Sequence, residues 1–290
     1  MLKLCWRKNW RGANLEVRDR RSQHQLTWHE ILRRTLKAEE AGFDGAWVFD
    51  HFKPLYADPK GPCLEGWTLL AGLAAHTSSI RLGTLVTGIT YRHPSVLAAQ
   101  CVTVDHISAG RLEMALGAAW FDTEHRELGI EFPPTGERIG RLEEAIQLID
   151  LLMTRDDVSF HGRYYKLDSA TYNPKPVQNP RPPLWLGAGG TQRMLPLTAR
   201  VADVWHGFGD LSTLDEKNRV IDESAQAAGR DPSEVMRSTS LSISEPMDDI
   251  RRQLDALVAR GFGYLVVSWP AEGDPKVDRF IEEIMPAYVS

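Results

Sequence analysis

The stretch Arg81–Pro94, RLGTLVTGITYRHP, decides how the rest of the chain is read. Leu82, Leu85 and Val86 form an apolar run that predicts a buried strand over Arg81–Thr87. The run stops at Thr87-Gly88, where glycine admits backbone geometries that other residues avoid. A polar segment follows, Thr90-Tyr91-Arg92-His93, and Pro94 stands where it can open a helix over Ser95–His106. A buried strand therefore delivers hydrogen-bonding groups to a surface. In β/α barrels the surface at the strand C-termini is the active one. Taken alone, the same stretch also reads as an ordinary strand, turn and helix.

Upstream, Trp28–Ala41 has helical apolar spacing, with Thr27 and Glu30 placed as a capping pair and Gly42 as the stop. The run Gly45-Ala-Trp-Val-Phe-Asp-His51 reads as a strand buried on both faces, ending in Asp50 and His51. Leu64–His76 is the next helix. Ahead of these, Ala13–Arg18 is preferred over Lys3–Trp6 as the first strand. Downstream come a strand at Leu112–Ala118, a short helix or loop at Trp120–Gly129, and a long amphipathic helix at Arg138–Met153. A small hairpin is expected around His161-Gly162, and the proline run Asn173–Pro183 is a loop. Strands at Leu184–Gly187, Val204–Phe208, Ser238–Ile243 and Tyr264–Trp269 follow, with helices to Val201 and over Leu214–Ala228, Met247–Arg260 and Lys276–Tyr288. Eight short strands, each followed by a helix, predict a (β/α)8 TIM barrel formed by residues 1–290 as one domain. A doubly wound open sheet also alternates β and α, but the count of eight and the length favour the barrel.

Of the 290 residues 42% are hydrophobic and 25% charged, enough for a large core. The net charge of −5 argues against nucleic acid as the main partner. Cys5, Cys63 and Cys101 form no CxxC pair, which fits reduced thiols in a cytoplasm. No apolar run has the length of a membrane span. Residues 1–21 carry seven Lys or Arg against Glu16 and Asp19, so residues 1–12 read as a basic extension rather than part of the barrel.

The strand ends supply the candidate site. Asp50 and His51 end one strand, Thr87 and Gly88 the next, and Gly117 a third, followed by Trp120, Glu124 and His125. Gly187, Gly189, Gly190 and Thr191 follow a fourth, and His206, Ser268 and Trp269 later ones. Histidine can move a proton near neutral pH. It can equally be satisfied by a backbone carbonyl. Gly189-Gly190-Thr191 opens a helix, a place that attracts phosphate, although the same residues serve as plain caps. Asp50, His51, His93, His125 and His206 could gather at one mouth, but no HxH or HExxH spacing accompanies them and no metal is expected. Trp47, Trp120, Trp205 and Trp269 suit either the walls around a flat cofactor or the core. No GxSxG elbow points to a covalent nucleophile.

Five stretches in order, AEEAGFDGAWVFDHF (38–52), RLGTLVTGITYRHP (81–94), ISAGRLEMALGAAWFDTEH (107–125), PPLWLGAGGTQRMLPLTARVADVW (182–205) and YLVVSWP (264–270), resemble the bacterial-luciferase-like superfamily, and within it the coenzyme F420-dependent oxidoreductases. The resemblance implies a deazaflavin in the barrel mouth, supported by a bulge, often with a non-prolyl cis peptide, that matches Thr87-Gly88. It implies cofactor contacts at Gly117, Gly187, Gly189, Gly190 and Thr191, the last three holding phosphate. His51 would carry the proton that accompanies hydride transfer, with Asp50 or Glu124 orienting it. Trp120, His125 and Trp269 would border a small-molecule substrate. Homodimers are usual in the group. The glutamate that sugar-phosphate dehydrogenases of this group place soon after the fourth strand falls near Trp120, which puts that substrate in doubt. Two other readings stay open: a reduced-FMN and O2-dependent monooxygenase on the same fold, and a non-catalytic cofactor carrier or sensor.

Overall fold

The computed structural model describes residues 13–16, 23–55 and 58–288; the basic extension and the alternative strand Lys3–Trp6 lie outside the described residues. Strand β1 spans Ala13–Glu16, followed by α1 (Trp28–Glu40), β2 (Gly45–Val48), α2 (Gly66–His76), β3 (Arg81–Thr84), β4 (Thr87–Gly88) and α3 (Pro94–Ile107). Next are β5 (Leu112–Gly117), α4 (Asp122–Leu128) and α5 (Thr135–Thr154), then the hairpin β6 (Val158–His161) and β7 (Lys166–Ala170). The second half holds β8 (Leu184–Gly187), α6 (Met194–Val201), β9 (Val204–Gly207), α7 (Leu211–Ala227), β10 (Met236–Ser242), α8 (Met247–Val258), β11 (Phe262–Ser268), α9 (Asp274–Glu283) and α10 (Met285–Tyr288).

Parallel pairing runs β1-β2-β3-β5-β8-β9-β10-β11 and returns from β11 to β1, so eight strands close a ring. This is the expected (β/α)8 barrel, with β1 at the preferred position. The antiparallel β6–β7 hairpin stands outside the ring. Residues alternate across the wall. Trp47, Leu85, Ala115, Trp185, Val204, Tyr264 and Val266 fill the interior, with the Trp185 ring 4.6 Å from Trp47 and 4.5 Å from Tyr264. Their neighbours in sequence face the helices and join one continuous outer core.

Local chemistry explains most element ends. Thr27 accepts from the Glu30 amide at 3.3 Å and starts α1, while the Glu30 carboxylate turns to Arg33 and Arg34. Glu65 accepts from the Trp67 and Thr68 amides and starts α2 two residues later than expected. Pro94 is the first residue of α3, and the preceding His93 caps it by accepting from the Ser95 amide at 3.2 Å. The closing helix is broken at Ile284. Pro286 has no N–H to extend the ladder.

One irregularity shapes the mouth. Leu82 pairs with Leu112, yet Thr87 pairs with Leu116, so five steps on one strand face four on its partner. The extra residue is a bulge between β3 and β4, and the Leu85–Val86 peptide there is cis. The feature expected at Thr87-Gly88 therefore lies just before it. Thr87 and Gly88 are regular partners of β5.

Candidate active site

His51 leaves the end of β2 and is 8% exposed. Its Nδ1 lies 2.8 Å from Oε2 of Glu124, which α4 brings in from 73 residues away. Glu124 is fully buried, and every contact it makes is a donor. The Tyr91 hydroxyl donates to the same Oε2, and the Phe52 and Lys53 amides donate to Oε1 at 2.6 and 2.9 Å. Burial pushes this carboxyl up, but the hydrogen bonds from His51 and Tyr91 outweigh it and hold Glu124 below its ordinary value. The same burial, with Glu124 alongside, pushes the Tyr91 phenol well above its ordinary value. An ionised Glu124 fixes the Nδ1–H tautomer of His51. The Nε2 of His51 has no hydrogen-bond partner among the described residues and is open to solvent.

Asp50, the other candidate partner of His51, is spent elsewhere. The Arg92 guanidinium grips both of its oxygens at 2.6 and 2.7 Å, and the Gly88 amide donates to Oδ2 at 3.1 Å. Asp50 therefore anchors β4, and Glu124 orients the histidine. A bidentate guanidinium satisfies a buried carboxylate better than an imidazole can.

The glycines have steric roles. A Cβ on Gly117 would lie 2.6 Å from Cγ2 of Val86, and one on Gly187 would lie 2.9 Å from Cγ1. Val86, pushed inward by the bulge, fills the space between these two strand ends and floors the mouth. A Cβ on Gly88 would meet the Tyr91 ring at 2.7 Å, so this glycine lets Tyr91 reach Glu124. The Thr87 hydroxyl bonds that of Thr84 and accepts from the Trp67 indole at 3.2 Å. Gly189, Gly190 and Thr191 are exposed, but α6 begins three residues after Thr191, with no side chain capping its first turn. The Lys217 ammonium, held by the Phe208 carbonyl at 2.6 Å, stands 3.5 Å from where a Gly189 Cβ would be.

Of the three residues expected at the substrate wall, only Trp120 faces the mouth. It is 63% exposed, with its ring 6.2 Å from His51. His125 is fully buried behind Tyr91, stacked at 4.6 Å, with its nitrogens bonded to the Thr90 hydroxyl and the Phe121 carbonyl. It backs Tyr91 and has no exposed surface of its own. Trp269 is 1% exposed on the outside of the barrel wall, with the Arg34 guanidinium 5.0 Å over its ring. Strand alternation accounts for this, since Val266 faces inward and Val267 and Trp269 are on the other phase. The histidines do not converge. His93 caps α3, and His206 sits between the Ser238 and Ser240 hydroxyls at 2.9 and 3.2 Å. Tyr91 was visible within the polar segment, but nothing local tied it to Glu124.

The residues fit a flat tricyclic cofactor with a phosphate-bearing tail. Val86 provides an apolar floor beneath the mouth, and the exposed Gly189-Gly190-Thr191 stretch before α6 has the Lys217 ammonium beside Gly189.

Comparison with known proteins places the chain. The model of the family described as luciferase-like monooxygenase matches residues 13–278. An F420-dependent glucose-6-phosphate dehydrogenase of Amycolatopsis mediterranei is 30% identical over 243 residues, 81% of this chain and 70% of that one. One of Kineococcus radiotolerans is 35% identical over 181 residues, 62% of this chain. The match spans about half of that relative's length, 52%. In fold, the chain resembles an F420-dependent secondary alcohol dehydrogenase solved with an F420-acetone adduct, with a TM-score of 0.83 at 20% identity over 97% of this chain and 100% of that one. The match to the family model runs through the bulged strand, the His51–Glu124 pair and the glycine loop, and the chain belongs to the luciferase-like monooxygenase family.

Proposed function

We propose that this protein is an oxidoreductase that moves a hydride between coenzyme F420 and a carbon of a small organic substrate. The observation that carries the reading is the His51 imidazole, held at Nδ1 by a saturated carboxylate and open at Nε2. Bound F420 supplies the hydride acceptor or donor. Val86 would underlie its ring, and Gly189, Gly190, Thr191 and Lys217 would hold its phosphate. His51 takes the substrate proton at Nε2 while Glu124 steadies the positive charge that develops on the ring. Tyr91 stays protonated and keeps the second lone pair of Glu124 occupied, so the carboxylate accepts from His51 without taking its proton. The relatives' names support the cofactor.

The family's description as a luciferase-like monooxygenase supports a second reading, oxygen-dependent chemistry, for which reduced FMN is the candidate cofactor. A fluorescence titration of the purified protein with F420 and, separately, with FMN decides between them. F420 is expected to bind at least about tenfold tighter than FMN, a margin of about 1.4 kcal/mol. The reverse order moves the chemistry to the monooxygenase. His51→Ala is expected to keep F420 binding and lose turnover. Unchanged turnover removes His51 as the proton carrier.

A further inference from the structure

Two neighbouring residues of the polar segment grip two neighbouring residues of α4. The Thr90 hydroxyl lies 2.6 Å from Nε2 of His125, and the Tyr91 hydroxyl donates to Oε2 of Glu124. Nδ1 of His125 lies 2.8 Å from the Phe121 carbonyl, so it carries the ring proton, and Nε2 accepts from Thr90. The Tyr91 ring is clamped between His125, stacked at 4.6 Å, and the edge of Phe52 at 5.1 Å, and it occupies the space where a Cβ on Gly88 would stand. These contacts leave the phenol one position, with its oxygen on Glu124.

That carboxylate oxygen is shared. Nδ1 of His51 lies 2.8 Å from the same Oε2 and 3.3 Å from the Tyr91 oxygen, while the Phe52 and Lys53 amides take Oε1. Among the described residues, His51 and Tyr91 are the two groups that reach Oε2. A hydrogen bond to an ionised carboxylate favours that form and makes it a weaker base. A weaker base stabilises an imidazolium beside it less.

The other ionisable groups around the pair are occupied or stay neutral. His24, stacked on Phe49 at 5.0 Å, is held down to about 4 by burial and then by His51. Cys63 is pushed up to about 12 by burial and then by Glu124. Asp50 is forked by Arg92, which has Glu65 3.5 Å away, and the Lys53 ammonium is bound to Glu127. Burial, and then Glu124, keep Tyr91 a phenol and therefore a donor.

We propose that Tyr91 is a positioning residue that sets how readily His51 gives up its proton, acting through the Glu124 oxygen that the two share. The use to which that proton is put rests on the hydride-transfer reading above; the coupling itself does not. With the phenol in place the imidazolium is stabilised less and releases its proton at lower pH. Without it, Oε2 belongs to His51 alone and the ring stays protonated to higher pH.

NMR of protein carrying 13C-labelled histidine, followed through a pH titration without cofactor or substrate, reads this directly. His51→Gln identifies the His51 signal by its loss. Tyr91→Phe should raise the midpoint of that signal by about half a pH unit or more. Replacing Tyr91 by 3-fluorotyrosine, a stronger donor of nearly the same shape, should lower it. A role in packing alone would not move the midpoint in opposite directions. Midpoints unchanged in both proteins, or shifted with the same sign, overturn the proposal and leave the hydride-transfer reading standing. If Tyr91→Phe fails to fold, the fluorotyrosine protein decides alone: a lowered midpoint supports the proposal and any other result overturns it. Failure of the parent to bind F420 would remove the hydride-transfer reading but not the coupling, which the titration reads in the cofactor-free protein.

Discussion

Glu124 accepts from four donors: an imidazole, a phenol and two backbone amides. With four donors on it, such a carboxylate has little accepting capacity left over, which suits the proposed part of orienting His51 rather than reacting. Glu124→Gln replaces an acceptor-only group by an amide whose NH2 must face a donor. The Nδ1–H tautomer is then no longer enforced, and one buried donor is left unpaired. The expected result is a fall in kcat of about 100-fold or more, with F420 affinity nearly unchanged. The acid limb of the kcat profile should also shift. Steady-state kinetics across pH, alongside an F420 titration, check this. A variant with parental kcat would leave His51 acting without an orienting partner.

At the level of elements, the bulge between β3 and β4 and the ends of β5 and β8 form one packing unit. Val86 is the knob, and Gly117 and Gly187 are the hole. Gly117→Ala puts a methyl 2.6 Å from Cγ2 of Val86. Val86, which also closes on Gly187, has to shift to make room. Overpacking of this kind costs about 1–3 kcal/mol, and it would disturb the floor under the cofactor. The single variant is expected to lose several degrees of Tm and to bind F420 at least about tenfold more weakly, since about 1.4 kcal/mol is tenfold. Trimming the knob as well, in Val86→Ala/Gly117→Ala, should restore much of both. Calorimetric Tm and the F420 Kd of the two variants are the measurements. No recovery in the double variant would mean that Gly117 is needed for its backbone rather than for its missing side chain.

Over the whole molecule, acid stability follows from groups held away from their ordinary protonation. Burial, and then the neighbouring His51, lower the His24 imidazole from 6.5 to about 4. The unfolded chain therefore binds a proton between these values that the folded chain refuses. Stability is full above about pH 6.5, falls as pH drops toward 4, and the histidine then has no more to lose. At 1.36 kcal/mol per unit the contribution is about 3 kcal/mol. Below pH 4.5 the loss continues as Glu124 and Glu39 take up protons. Glu39 is likewise held low, by the Ser78, Ser79 and Ile80 amides against its own burial. Urea denaturation at pH 7 and pH 4.5 should show the parent weaker at the lower pH and His24→Gln nearly level. An equal drop in both would acquit His24. Among the described residues no helix is long and apolar enough to cross a membrane.

What the amino-acid order determined by itself was everything written in short-range pattern. Eight apolar strands separated by helical periodicities specified the barrel. Thr27, Pro94 and Gly42 marked helix ends within a residue or two, because a cap is a contact between near neighbours. The chain also placed His51, Glu124 and Trp120 at strand ends, where barrel chemistry occurs. Tertiary structure alone decided which of these groups meet. Asp50 and Glu124 looked equally able to serve His51, yet one went to Arg92, 42 residues on, and the other reached His51 across 73. The same holds for direction. A period-two pattern says that neighbours face opposite sides but not which side is inside, so Trp269 fell outside the wall while Val86, after one extra residue in its strand, turned inward. Strand register and a single bulge set that phase, and a slip of one residue reverses every side chain beyond it.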